Sequence, residues 1–271
     1  MFAREYAPPG SDLYYVLQQV PEAARIPYLA IHALAQQLQE SAERYQDRNT
    51  AEQKLAWWAE EIERLYRHES LHPLTQSLNA YLGEYTLRKV ELLALVETAL
   101  LTLRTEIFTT QAELLQHYQH SGGILAALKA KILLRRELPE ALLKAVHQLG
   151  ISLEIMRHLL YFPAFLARQQ LYLPLSLFQQ HSLDPQQILQ GRGLEQLQPL
   201  FAAQAEHAEE MLQGALESLM REERRNLRPL LLEAKLRQKQ LEKIAADAWQ
   251  IFRYRLELSP LVKLLLTRFS S

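Results

Sequence analysis

The sequence predicts an all-α protein whose helices form a bundle around a central space. Glycine and proline are scarce, with 8 and 12 in 271 residues, whereas the helix-favouring residues Leu, Ala, Gln, Glu and Arg dominate. Apolar residues recur at intervals of three and four almost throughout, and the alternation typical of strands never persists. No Gly/Ser linker, change of composition or internal repeat divides the chain. We therefore expect residues 1–271 to form one domain of helices packed against one another.

The helices begin after a turn-like start at APPGSD and follow one another with short connections. Thr50 and Gln53 form a capping box, which predicts the start of a helix. Pro185 and Pro260, each preceded by a capping Asp or Ser, take the first position of two further helices. The predicted helices cover residues 13–20, 22–46, 50–68, 71–82, 85–108, 109–120, 123–135, 139–162, 170–180, 185–190, 194–221, 227–257 and 260–269.

The composition excludes several classes of function. The chain has no cysteine, which rules out disulfides, thiolate catalysis and cysteine-rich zinc sites. With 30 basic and 31 acidic residues the formal net charge is −1, so no global field attracts nucleic acid. The N-terminus has no apolar core of signal-peptide length, and no apolar run reaches the roughly 18 residues that span a bilayer. We expect a cytoplasmic protein, soluble or at most peripheral at the inner face of a membrane.

Familiar catalytic signatures are absent from the sequence. It has no phosphate-binding loop, no dinucleotide-binding glycine motif, no HExxH and no GxSxG. His117 and His120 have ligand-like i,i+3 spacing, but no carboxylate accompanies them, and we interpret them as a chance pair on a polar helix face. Trp57 and Trp58 are adjacent on a helix and point to different faces, so neither is assigned a catalytic role.

Five segments, in order along the chain, resemble the squalene/phytoene synthase family. They are GSDLYYVLQQVPEAAR, QKLAWWAEEIERLYRHESLHPLTQSL, LLQHYQHSGGILAAL, LG…LYLPLSLFQQHSL and RLELSPLVKLLLTRF. The resemblance implies an all-α isoprenoid-synthase fold around a deep cavity, in which family enzymes join two prenyl diphosphates head to head. It also implies two facing Asp-rich helical motifs that hold Mg²⁺ on the diphosphates. Asp residues at i and i+4 place two oxygen ligands on one helix face, as Mg²⁺ requires.

The second of these motifs aligns with the sequence over its whole length, but its metal-binding residues are replaced. The family's motif, which resembles LGxALQLTNILRDVxEDARRGRxYLP, aligns without a gap with residues 149–174. Its metal-binding Asp positions fall on Tyr161 and Phe165, its Asn falls on Arg157, and the Arg before the first Asp falls on Leu160. Arg157, Tyr161 and Phe165 are spaced i, i+4, i+8, which predicts one cationic and aromatic helix face. Such a face would repel Mg²⁺.

The first motif is also degenerate. The family's motif, which resembles ALYAFxRExDDxxD, falls on AIHALAQQLQESAE, with Gln39 and Glu43 at the outer Asp positions and Glu40 between them. We therefore predict no metal site and no cofactor. If the lost metals supplied roughly 5 kcal/mol of leaving-group stabilisation, ionisation of the substrate would slow by about three to four orders of magnitude.

Two interpretations of the altered site remain open. Tyr161 and Phe165 are expected to fill the old site, in preference to forming a new pocket. Alternatively, Arg157 binds an anionic headgroup directly, with Tyr161 as a hydrogen-bond donor or cation–π partner. In either case we expect Arg157, Tyr161, Phe165, Tyr172 and Tyr118 to line the cavity and contact its ligand.

The sequence favours a non-catalytic protein that works by binding an apolar lipid or isoprenoid, or a protein partner. The mitochondrial complex I assembly factor branch also resembles these synthases and has likewise lost the Asp motifs, which makes a role in assembly one form of this hypothesis. The alternative is an active or residual prenyl diphosphate transferase that uses Glu40 and Glu43 for Mg²⁺. A third hypothesis is a carrier for a long apolar lipid, with an open cavity past Tyr161 and Phe165.

The C-terminal segment SPLVKLLLTRFSS predicts an amphipathic helix. It sets Leu261, Leu264, Leu265 and Phe269 against two basic residues, Lys263 and Arg268. Such a helix can dock on the bundle or on a membrane surface. Because it is short and only modestly basic, we expect it to dock on the protein.

Overall fold

The computed structural model describes residues 2–43, 47–105, 107–252 and 257–269, and most of them are helical. The α-helices are α1 (Phe2–Tyr6), α2 (Asp12–Gln19), α3 (Glu22–Glu43), α4 (Arg48–Tyr66), α5 (Pro73–Gln76), α6 (Lys89–Arg104), α7 (Gln111–Tyr118), α8 (Ile124–Leu134), α9 (Glu140–Leu160), α10 (Phe162–Leu166), α11 (Leu175–Gln180), α12 (Pro185–Leu189), α13 (Gln198–Ser218), α14 (Arg221–Asn226), α15 (Arg228–Ala246) and α16 (Pro260–Phe269). Within these ranges the extended pairing is limited to one isolated parallel bridge, between Ile107 and Leu171. The predicted all-α fold is confirmed.

Most predicted helices are present, with ends that differ by a few residues. The exceptions have local causes. The predicted helix 71–82 is only the short α5 and a 3₁₀ turn at Asn79–Tyr81. The predicted helix 170–180 begins at Leu175, because the chain before it is extended and pairs with Ile107. The predicted break after residue 120 is instead a π-helical turn at Gln119–Gly123, which joins α7 to α8.

Two helices in the C-terminal part of the chain also differ from their predicted bounds. The predicted helix 227–257 ends at Ala246, and Ala248 and Trp249 then take positive φ values of 51° and 57°, which no α-helix accommodates. Residues 253–256 of that prediction lie outside the described part of the chain. The predicted helix 194–221 is a 3₁₀ turn at Leu194–Leu197 followed by α13. The short helices α1 and α14 were not predicted.

Helix α4 begins earlier than its predicted capping box. Asp47 is the N-cap, and its carboxylate accepts hydrogen bonds from the backbone N–H groups of Asn49 at 3.3 Å and Thr50 at 3.0 Å. An aspartate satisfies the unpaired donors of the first turn at least as well as a threonine. The predicted starts at Pro185 and Pro260 are confirmed.

Helix α9 lies at the centre of the bundle, where it packs against α8, α13 and α15. It also passes very close to the π-helical turn, since Gly122 and Gly150 meet through their backbones. A Cβ atom built on Gly150 would lie 2.6 Å from the Gly122 carbonyl carbon, so a side chain has no room there. This close contact fixes the position of α9 along its axis relative to α8. It therefore also fixes the positions of the cavity residues on α9.

Helix α16 docks on α2 and α15, as expected, but with its polar face inwards. Lys263 is 5% exposed, and its ammonium group lies 2.7 Å from the Asp12 carboxylate and donates a hydrogen bond to the Gly10 carbonyl oxygen at 3.0 Å. Leu261 and Leu265 are 65% and 46% exposed. The buried ion pair, rather than the apolar stripe, therefore orients this helix. None of the helices in the described ranges has the length and apolar character needed to cross a membrane.

Candidate functional site

The helices surround a cavity of about 830 Å³. Its wall includes all but two of the residues predicted from the sequence, namely Gln39, Glu40 and Glu43 from α3 and Arg157, Tyr161 and Phe165 from the α9–α10 region. The two degenerate motifs therefore face each other across one space. Tyr161, Ala164 and Arg168 are exposed wall residues, and we call the opening beside them the mouth; Pro9 and Glu257 are also exposed on the wall.

The second motif does not lie on one continuous helix, as its spacing predicted. Helix α9 ends at Leu160, and Tyr161 (φ −109°, ψ 15°) separates it from α10. Pro163 explains the break, because proline has no backbone N–H to donate to the preceding turn. Arg157, Tyr161 and Phe165 nevertheless all reach the cavity wall.

Arg157 forms ion pairs with carboxylates from both sides of the cavity. Its guanidinium lies 3.0 Å from the Glu154 carboxylate and 3.6 Å from the Glu43 carboxylate. Arg168 approaches the other oxygen of Glu43 at 3.4 Å. Burial would lower the pKa of Arg157, but Glu154 and Glu43 outweigh burial and raise it above its ordinary value. The guanidinium is therefore a permanent cation between the two motifs.

His158 holds the Arg157 guanidinium from a third side. Its Nδ1 lies 2.9 Å from the Glu154 carbonyl oxygen, which can only accept, so Nδ1 carries the proton. Its Nε2 then accepts a hydrogen bond from Arg157 at 3.1 Å. Burial, and next the Arg157 charge, depress the pKa of His158 well below its usual range and keep the ring neutral. Phe165 completes the setting, with its ring centroid 5.2 Å from the guanidinium carbon.

The residues present do not fit the magnesium ions that the resemblance implies. Among the described residues there is no group of three or more His, Asp or Glu side chains placed to hold a metal. The two carboxylates that flank the site, Glu43 and Glu154, are already bridged by Arg157. A divalent ion there would have to displace a buried guanidinium from both carboxylates, which is unfavourable on charge and on geometry.

The expectation that Tyr161 and Phe165 fill the old site is wrong. Phe165 is buried at 3% exposure and packs against the rings of His158 and Tyr172, at centroid distances of 4.7 and 5.0 Å. Tyr161 is 40% exposed and stands at the mouth. Both residues line a cavity of about 830 Å³, so the space between the motifs stays open.

The remaining predicted residues have mixed outcomes. Tyr172 does not line the main cavity but a small void of about 30 Å³ behind Arg157. Tyr118 lines neither space, which corrects the prediction that it contacts a ligand. It is 1% exposed and stacks on His158 at 5.1 Å, because the close approach of the π-helical turn brings it behind α9. Glu40 accepts a hydrogen bond from Gln36 at 2.9 Å.

Sequence reasoning missed most of the titratable wall residues. They are Asp12, His32, Lys129, Glu154, Arg168, Glu233, Arg237, Glu257 and Lys263. Two of them carry a signal that could have found them. Lys129 and Glu154 lie inside the apolar segments ILAALKAKILL and GISLEIM, where a charged side chain needs a buried partner.

Comparisons with known proteins agree with this architecture. The model of the family described as squalene/phytoene synthase matches residues 7–262. A dehydrosqualene synthase in complex with a ligand superposes with a TM-score of 0.83 at 14% identity, covering 99% of this chain and 92% of that chain. The squalene synthase HpnC from Alicyclobacillus acidocaldarius gives 0.77 at 18% identity, with 92% of each chain covered. YisP from Bacillus subtilis subsp. subtilis strain 168 gives 0.68 at 18% identity, covering 98% and 92%.

No functionally curated protein matches the sequence. At identities of 14 to 18% the solved structures establish a shared fold, and not a shared activity.

Proposed function

We propose that the chain, which belongs to the squalene/phytoene synthase family, does not join prenyl diphosphates and acts instead by binding an apolar ligand in its cavity. One observation carries the proposal: the Arg157 guanidinium lies between Glu43 and Glu154, on opposite walls of the site. The two guanidinium groups of Arg157 and Arg168 balance these two carboxylates. Glu43 and Glu154 are therefore compensated and not available to a divalent ion.

Electrostatics explains why such a site is unsuited to diphosphate ionisation. Catalysis requires charge that stabilises the departing diphosphate more strongly in the transition state than in the ground state. A guanidinium that lies between two carboxylates has its charge compensated. It can offer little to a leaving group, and the expected loss is the several orders of magnitude estimated above for the absent metals.

The size and lining of the cavity support ligand binding. A volume of about 830 Å³ lies within the range of roughly 300–1,000 Å³ typical of small-molecule sites. The apolar side chains on the wall include Leu13, Leu125, Ala126, Leu153, Leu160 and Leu230. An unused enzyme cavity would be expected to collapse or fill, because empty apolar space reduces stability. An isoprenoid or other long apolar chain is the class of ligand that this lining favours.

The first test is diphosphate release from farnesyl and geranylgeranyl diphosphate with Mg²⁺. We expect no release above the protein-free blank, with a squalene synthase as the positive control. The Glu40→Ala/Glu43→Ala double variant serves as the matched control. Release by the wild-type chain that disappears in this variant would overturn the proposal and establish the alternative, a Mg²⁺-dependent prenyl transferase.

The second test is binding, measured as thermal stabilisation by farnesol and geranylgeraniol. Ala164→Trp would narrow the mouth, whereas Ala167→Trp lies close by on the chain but off the cavity wall. Both positions are exposed, so both variants should fold. We expect only the substitution at Ala164 to weaken the stabilisation. Equal behaviour of the two variants would place the ligand outside the cavity.

A further inference from the structure

Three charged side chains form a second cluster on the cavity wall, away from Arg157. The Lys129 ammonium lies 3.0 Å from one oxygen of Glu233, and the Arg237 guanidinium lies 2.6 Å from the other. Arg237 also donates a hydrogen bond to the Leu153 carbonyl oxygen at 2.7 Å, which ties the cluster to α9. The exposed fractions of the Lys129 and Glu233 side chains are 2% and 8%. We call these three residues the inner charge cluster.

Two polar groups of α3 complete its surroundings without pairing. Tyr28 and His32 lie one turn apart, and the Tyr28 ring is 5.2 Å from the Lys129 ammonium. The Tyr28 hydroxyl and the His32 Nδ1 are both buried and have no hydrogen-bond partner in the described part of the structure. Buried polar atoms are rarely left unpaired, since each costs about 1–3 kcal/mol. Burial, and next the Lys129 charge, lower the pKa of His32 to about 3, so its ring is neutral.

The charges of the inner cluster do not balance. Lys129 and Arg237 both pair with Glu233, and within the described residues it is the carboxylate that they share. Burial lowers the pKa of Lys129, and Glu233 opposes that effect. Lys129 and Arg237 outweigh the effect of burial on Glu233 and lower its pKa to about 2, so it is fully ionised. The other carboxylate of this part of α9, Glu154, is paired with Arg157. Two largely buried cations therefore share one carboxylate, an arrangement that a second anion would stabilise.

The position of the cluster defines how a ligand would lie. Arg237 binds the α9 carbonyl at Leu153, and Tyr161 at the mouth is eight residues further along, about 12 Å at 1.5 Å per residue. The wall between them carries Leu153, Leu160 and Phe165 beside the Arg157–Glu154 ion pair, whose charges compensate each other. A charged head at the cluster would thus leave room for an apolar chain that runs outwards along α9.

We infer that the cavity binds a long-chain carboxylate, with its head group at the inner charge cluster and its apolar chain directed towards the mouth. The inference rests on the proposed function and names the ligand class for it. One carboxylate supplies the single negative charge that the cluster lacks. Its oxygens can accept from the remaining N–H groups of Lys129, which uses one of its three on Glu233. A diphosphate brings several negative charges and exceeds what one uncompensated cation can balance.

The test compares dodecanoate with dodecanol, two ligands of equal chain length that differ in charge. Isothermal titration calorimetry on the full chain at pH 8, below the micellar concentration, gives the dissociation constant of each. We expect the carboxylate to bind at least tenfold more tightly than the alcohol, a difference of about 1.4 kcal/mol. Lys129→Met removes the excess charge and should abolish this preference while leaving the affinity for the alcohol unchanged.

Two further variants test whether the carboxylate binds at the inner charge cluster or at the mouth. Glu233→Gln raises the excess charge and should strengthen dodecanoate binding, a gain that a purely structural role of Glu233 would not produce. Arg168→Met removes a cation at the mouth and should leave the preference intact. If dodecanoate preference survives Lys129→Met but disappears with Arg168→Met, the carboxylate binds at the mouth and the inference is wrong.

The outcomes also distinguish this inference from the proposed function. Equal affinities for the two ligands would refute the carboxylate assignment and leave apolar ligand binding in place. Binding of neither ligand would refute both. Diphosphate release in the enzymatic assay would refute the proposed function while leaving the measured ligand preference as a separate fact.

Discussion

The substitution Arg157→Ala tests the central feature of the site most directly. Arg157, Glu43 and Glu154 have side-chain exposures of 18%, 9% and 5%, so the network is largely shielded from water. Removing the guanidinium leaves the Glu154 carboxylate buried without its ion-pair partner, and Glu43 with Arg168 alone. Removing one partner of a buried ion pair costs about 3–5 kcal/mol, because the remaining charge is desolvated and uncompensated.

The partial exposure of Arg157 places the expected loss at the lower end, about 3 kcal/mol. A change of 1 kcal/mol shifts the midpoint of thermal unfolding by about 2–4 °C for chains of 150–250 residues, and somewhat less for longer ones. We therefore expect the melting temperature to fall by about 6 °C. Urea unfolding followed by circular dichroism gives the free energy itself, provided that the slope with denaturant stays constant.

The pH dependence of this loss has a definite sign. Burial raises the pKa of the Glu43 carboxyl, and Arg157 opposes that rise. Without Arg157 the pKa of Glu43 should rise further. A carboxyl whose pKa is higher in the folded state favours folding at low pH, and this contribution is lost as the pH rises. The deficit of Arg157→Ala should accordingly be larger at pH 7 than at pH 5.5.

Two variants decide whether the reasoning holds. Arg168→Ala removes a 43% exposed partner of Glu43 and should cost less than about 1 kcal/mol. Arg157→Met combined with Glu154→Gln removes both members of the closest pair and should recover most of the lost stability. If Arg157→Ala and Arg168→Ala cost the same, or if the double variant is no more stable than Arg157→Ala, the guanidinium does not have the proposed role.

Three further outcomes are expected. Mg²⁺ should raise the melting temperature of Arg157→Ala, in which Glu43 and Glu154 have lost the Arg157 guanidinium, but not that of the wild type. Equal shifts of the two melting temperatures would contradict the proposal that this guanidinium occupies the place of the metal. Gly150→Ala should cost about 3 kcal/mol of folding free energy through its clash with the Gly122 backbone, whereas Gly214→Ala, whose Cβ would lie 3.7 Å from its nearest neighbour, should be neutral or stabilising. The pKa of His32 is lowered to about 3, so protonation of this ring in the unfolded chain favours unfolding below about pH 6.5. His32→Gln removes this effect and should reduce the stability lost between pH 6.5 and pH 5. The expected reduction is about 2 kcal/mol, or 1.5 pH units at 1.36 kcal/mol each.

The long helices were predictable because each carries one continuous apolar stripe. Helices α3, α9 and α13 were identified from a period of 3.6 residues alone, to within a few residues of their ends. The errors lie where a local interaction overrides the period. Pro163 divides the second motif, and the bridge of Leu171 to Ile107 delays α11. The bridge depends on a contact between segments, which a single sequence does not contain, whereas the break at Pro163 is encoded locally and could have been predicted.

The sequence was sufficient to predict which segments face each other across the site, but not which charged side chains form ion pairs there. The motif alignment placed Glu43 and Arg157 on facing walls, and the structure brings them together. The alignment could not show that Glu154 would complete the pair, since that glutamate falls on a Gln of the motif and not on a metal-binding position. Nor could it show that Lys129 and Glu233, 104 residues apart, would meet on the same cavity.

The further inference sets the direction of the ligand in the cavity. The two cations of the inner charge cluster share one carboxylate, so the carboxylate head should lie there and its chain should run towards Tyr161. Each CH₂ buried on the wall should then raise affinity about fourfold, or 0.8 kcal/mol, until the chain reaches Tyr161. Longer chains should bind with constant affinity, because the extra carbons lie in solvent. Titration of saturated carboxylates of increasing length would show this plateau, whereas an abrupt loss of binding beyond one length would mean that the chain fills a closed end and the head lies at the mouth.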